Sequence, residues 1–197
     1  MAIGHWYSNG SKLKNAGVAG GFVWGSANNP LYATITSGYT PSATDITLNT
    51  AVGAFSGGHC ANEPLSTVFT DGLLRRPVTM EPITTATKSN PDSNFVVYPV
   101  DGTTPPRWST ANTLTADMII FYWDTNGNVS DDIPAAYYPN GTTNNVNDAT
   151  TCLLLGHAPF VDDSTKLSTW SVGTTLTYEF DTTYTGADYV LFYEQIR

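Results

Sequence analysis

The chain has 197 residues, enough to bury a core without disulfides or metals, so its stability calls for no cofactor. It carries 17 Gly, 12 Pro and only 8 Lys plus Arg; helix formers are scarce and strand and turn residues abound, which points to an all-β chain. The formal charge of −9 argues against a grip on nucleic acid, and no apolar run reaches the roughly 18 residues of a membrane span, so neither nucleic acid nor membrane is expected as a partner.

The opening MAIGHWYSNG lacks the charged start and apolar stretch of a secretory signal. Lys12 and Lys14 precede the first acidic residue, Asp45, so residues 1–44 carry +2 and the remainder −11. A weakly basic, Gly-rich leader on an acidic body suits an arm that docks on an acidic neighbour; it equally suits a loosely constrained terminus. FVW at 22–24 is a weak strand signal. In LYATIT, Leu31, Ala33 and Ile35 alternate with polar positions, as in a half-buried strand.

DITL at 45–48, PVTM at 77–80 and NFVVYPV at 94–100 are further strand signals. Asn62 is placed to cap a helix through NEPLSTVFTDG, with Gly72 as its stop, although Thr, Val and Phe make a strand nearly as plausible there. MIIFYW (118–123), CLLL (152–155) and DYVLFY (188–193) are unbroken apolar runs of strand length, as in strands covered on both faces. TLTYEF alternates again, with Leu176, Tyr178 and Phe180 on one face. Turn-rich connectors such as SGYTPSATD and YYPNGTTNNVND separate these strands. The sum is one β domain over residues 1–197, a β-sandwich or jelly roll with little helix, and residues 1–30 as an extended N-terminal arm.

An internal echo stands out. WSTANTLT (108–115) and WSVGTTLT (170–177) each precede Ala-Asp and an apolar run, ADMIIFY at 116 and ADYVLFY at 187. They read either as equivalent strand pairs in two halves of a sandwich or as convergent strand composition.

Chemical motifs are sparse. Asp124, Asn126 and Asn128 imitate the start of a calcium loop, but Val129 stands where a Gly is required and Ala135 where a bidentate Glu is needed. Asn126-Gly127 is instead a favoured hairpin turn. Asp131-Asp132 and Asp162-Asp163 resemble a glycosidase pair only in composition. His5, His59 and His157 are too scattered for a local metal motif, so no metal ligand is assigned. His59-Cys60 with His157 or Asp163 is a thin basis for a thiol nucleophile, and no catalytic residue is assigned. Cys60 and Cys152 follow no zinc or redox spacing. Trp6, Tyr7, Trp24, Tyr32, Tyr39, Tyr137 and Tyr138 fall outside the strongest core runs; they suit a protein interface, sugar stacking or the ends of a sandwich.

MAIGHWYSNGSKLKN, LYATITSGYTPSATDITL and RWSTANTLTADMIIFYWD together resemble a small virion protein of tailed bacteriophages. The matching landmarks are Tyr39, Thr40, Pro41, Asp45, Trp108, Thr113 and Asp124, and they cover about half the chain. The Gly-rich start and the stretch from Gly57 to Pro106 depart from the pattern. The resemblance implies a non-enzymatic capsid cement or decoration protein, assembled in the host cytoplasm and seated on the outer capsid as a dimer or trimer. Its partners would be the major capsid protein and itself, with His5, Trp6, Tyr7, Lys12, Lys14 and Trp24 as contact residues and no cofactor. Deleting residues 1–20 should then leave a folded body that no longer binds. A carbohydrate- or receptor-binding fibre module, or a neck or tail component, is the alternative.

Overall fold

A computed structural model describes residues 5–7, 10, 22–26, 31–42, 44–48, 51, 53, 55–56, 59–72, 74–83, 95–101, 103, 105–124, 152–159, 168–170, 173–177 and 189–195. Thirteen strands lie among them: β1 His5–Trp6, β2 Leu31–Thr36, β3 Phe55–Ser56, β4 His59–Cys60, β5 Arg76–Val78, β6 Phe95–Val100, β7 Arg107–Ser109, β8 Leu114–Ala116, β9 Met118–Asp124, β10 Cys152–Pro159, β11 Ser168–Trp170, β12 Thr175–Thr177 and β13 Tyr189–Gln195. Every pairing among these strands is antiparallel, and the fold is all-β.

The central sheet runs β1-β10-β9-β2-β5. The apolar run of β9 takes the middle place, flanked by β10 and β2, and Ile119 to Trp123 are all buried. β10 is its antiparallel neighbour, with Cys152 opposite Asp124, and the Asn126-Gly127 turn expected after β9 lies outside the described residues. β2 departs from expectation: all six residues are buried, Thr34 and Thr36 included. Its alternation is real, but both faces are covered.

Those faces differ in chemistry. Leu31, Ala33 and Ile35 pair with Trp123, Phe121 and Ile119 on an apolar face. The β6–β13 ribbon covers it, placing the Phe192 ring 5.7 Å from Phe121 and 4.2 Å from Trp6. β10 carries a bulge at Leu155, and Gly156 beside it leaves the room Phe192 occupies; a Cβ there would fall 2.3 Å from that ring. The chain passes from one layer to the other just after β5, where Met80 bridges Val100 and Glu81 N–H donates to Pro99 O at 3.0 Å. Tyr32, Thr34 and Thr36 point the other way, onto a face lined by Tyr122 and several polar groups.

The echo has a structural counterpart. Trp108 lies opposite Leu176 and Leu114 opposite Trp170, and Thr110 N–H donates to Thr174 O at 2.8 Å between them. The two copies therefore run antiparallel beside each other in one register, a local pseudo-two-fold. They pair with one another and do not occupy separate halves. One copy feeds β9, the other leads to β13.

The segment after Asn62 forms only a 3-10 turn, Ser66–Val68. Its backbone is drawn into other bonds: Ala111 N–H donates to Val68 O and Thr70 N–H to Ser109 O, which takes those groups from an α-helical ladder. Phe22–Ser26 turns at Gly25 and is no strand, and Asp45–Leu48 forms a bridge from Thr47 to Leu153 in place of a full strand. The described part of the expected arm is not separate from the body, because β1 adds to β10 and Tyr7 N–H donates to Leu155 O at 2.9 Å.

Candidate functional site

The polar face of the central sheet gathers the chain's unusual side chains in two groups. At the β1 edge, Tyr39 OH donates to Asp45 Oδ2, which also accepts from Ser42 N–H at 2.8 Å. Tyr39 has a single hydroxyl proton and spends it on the carboxylate, so Tyr7 OH is the donor in the 2.8 Å contact between the two phenols. A buried relay, Tyr7 to Tyr39 to Asp45, thus ties the N-terminal strand to the Tyr39–Asp45 turn. Burial first, and then the hydrogen bond to Tyr39, raises the Tyr7 phenol well above its ordinary value. Burial and the Asp45 bond do the same for Tyr39. Both stay neutral at pH 7 and link the two segments.

His157 completes this group. It is the register partner of His5, their ring centroids lie 5.6 Å apart, and the Tyr7 ring packs edge-on at 4.9 Å. Burial, with His5 adding to it and Asp45 opposing it, lowers the His157 imidazole to about 4. It is neutral at pH 7.

In the middle of the face sits a buried ion pair. Arg75 Nη2 meets Glu63 Oε2 at 3.1 Å and its Nε donates to Oε1 at 3.3 Å, with both side chains fully inaccessible. Thr34 Oγ1 donates to Glu63 Oε1 at 2.6 Å, and the guanidinium carbon lies 5.6 Å from the Tyr122 ring centroid. Fork-to-carboxylate geometry and the Thr34 bond satisfy the glutamate's two oxygens, which is what a buried pair needs to persist. This is a structural clasp joining β2, β9 and the segment before β5.

The residues expected at a partner surface fare differently. His5 is exposed at the sheet edge, whereas Trp6 is half-buried on the apolar face. Tyr7 and Trp24 are buried, Trp24 packing on Trp6, Tyr98 and Phe192 while its Nε1–H donates to Pro99 O at 2.8 Å. Both are buried in the chain's own body, Trp24 as part of the aromatic cover of the apolar face and Tyr7 in the relay on the polar face, which corrects the expectation of partner contact or sugar stacking through them. Burial also pushes the Tyr98 phenol up to about 12. Lys12, Lys14, Asn126, Asn128, Asp131, Asp132, Tyr137, Tyr138, Asp162 and Asp163 lie outside the described residues. Asp124 ends β9. His59 and Cys60 belong to the β3–β4 hairpin, and His157 to the central sheet.

Glu63 and Arg75 escaped the sequence reading. The one signal for them was their scarcity, since charged residues are 13% of the chain and Glu63 stands amid Asn, Pro and Leu. No protein-family model matches the chain, and neither a curated protein nor a solved structure was found to match it.

Proposed function

We propose that this chain is a non-enzymatic capsid decoration protein of a tailed bacteriophage, a small homo-oligomer that binds the outer capsid surface and stabilises the particle. The observation that carries the reading is the use made of the residues behind the sequence resemblance. Tyr39 and Asp45 fasten the N-terminal strand through Tyr7, and Trp108 is wholly inaccessible, its indole N–H bonded to Leu74 O. These landmarks build a rigid β body with a docked terminus, the form suited to a protein whose work is to bridge neighbours. A ligand that binds only the assembled shell stabilises it by mass action, and no catalysis is needed.

Contact with the capsid then falls to the basic segment at Lys12 and Lys14 and to outward apolar side chains close to the docked terminus, Val23 and Ile46, which are 58% and 52% exposed. A deletion of residues 1–20 is a poor test, because it strips Trp6 and Tyr7 from the body. The charge reversal Lys12→Glu with Lys14→Glu is the better one. It is expected to weaken co-sedimentation with purified capsids about tenfold or more, most strongly at low salt, with no change in melting temperature. Unchanged binding would remove the basic segment from the interface.

A further inference from the structure

The three histidines are scattered in sequence, yet the fold brings two of them together. His5 and His157 are direct partners on adjacent antiparallel strands, so their side chains leave the same face of the sheet. Their ring centroids are 5.6 Å apart and the rings are tilted by 32°. Two imidazoles bound to one tetrahedral ion at about 2.0–2.1 Å from nitrogen to metal would have their centroids roughly 5 Å apart, close to the spacing already present. The Nδ1 atom of His157 is buried without a hydrogen-bond partner, an unmet demand on one of the two rings. His5 is exposed, which leaves a path from solvent. Asp45 lies close enough for its negative charge to act on His157.

We propose that His5 and His157 form a two-imidazole site for a divalent transition-metal ion of the zinc or nickel type, which fastens β1 onto β10. Imidazole nitrogen suits such borderline ions, whereas calcium and magnesium require oxygen ligands. Among the described residues no group of three His, Cys, Asp or Glu side chains converges, and the two imidazoles are the ligands assigned to the ion. The Asp45 carboxylate supplies a compensating charge, and its hydrogen bond from Tyr39 links the ion to the same relay that holds Tyr7. The ion acts as a clip on the N-terminal strand, whatever the body attaches to.

The test uses full-length, tag-free protein stripped with chelator and then titrated with zinc chloride at pH 7.5. Saturating zinc is expected to raise the melting temperature by about 5 °C, and excess calcium to leave it unchanged. The rise should vanish in His5→Asn, which alters an exposed side chain, and in His157→Asn, each compared with its own metal-free form. It should persist in His59→Asn. Substoichiometric nickel should broaden the ring-proton resonances of His5 and His157 ahead of those of His59. No rise in the parent protein, a rise that survives His5→Asn, or one lost in His59→Asn would overturn the proposal.

Discussion

Replacing Glu63 with Gln should lower the unfolding free energy by about 3–5 kcal/mol, read as a shift in the urea midpoint at constant slope. The amide matches the carboxylate in shape but removes the negative charge paired with the wholly inaccessible Arg75 guanidinium. The loss comes mainly from taking a buried cation's paired charge away, so removing both partners should be far less harmful than removing one. The triple change Thr34→Val, Glu63→Leu, Arg75→Met deletes the pair together with the hydroxyl that donates to it. It should recover most of the stability, since well-packed apolar replacements of buried ion pairs are often neutral or better. A triple variant as unstable as Glu63→Gln would mean that the pair contributes by holding the surrounding segments in register and not by neutralising charge.

Trp108→Ala should be similarly severe, at about 3–5 kcal/mol. Trp108 is a large side chain with no exposure, and it stands in β7 at the pseudo-two-fold, opposite Leu176 of the second copy. Trp108→Phe separates the two contributions. It retains most of the ring volume but leaves the Leu74 carbonyl without its indole donor, a loss of about 1–3 kcal/mol. Equal loss in both variants would place the whole effect in the hydrogen bond.

These two sites show how far the sequence could be read. β9 and β10 announced themselves as unbroken apolar runs because residues on both of their faces are buried, as are the adjacent Leu191 and Phe192 of β13, and that pattern needs no partner to be known. The echo between residues 108–115 and 170–177 was visible, but its register was not: only the ladder shows that Trp108 faces Leu176 and Leu114 faces Trp170. β2 read as half-buried because Thr34 and Thr36 are polar, and the reason Thr34 lies inside is tertiary. Glu63, twenty-nine positions away from Thr34, arrives to accept its hydroxyl.

The candidate site was still less legible. His5 and His157 meet only because β1 adds to the free edge of β10, a pairing that no local periodicity encodes. Tyr7 and Trp24 were placed at a partner surface on the strength of their residue type, which is the same for an interface aromatic and a core aromatic. Burial decides between them, and burial belongs to the fold. Asp45 and Tyr39 were noticed as landmarks, but their link to Tyr7 required the Tyr39–Asp45 turn to close over the N-terminal strand.

Quantitative mass spectrometry of purified virions, against the major capsid protein as internal standard, tests the functional account most directly. Capsid decoration predicts on the order of hundreds of copies per particle, in a fixed ratio to the capsid protein set by the symmetry of the shell. A handful of copies would place the chain in the neck or tail, and absence from the particle would contradict a structural role in the virion.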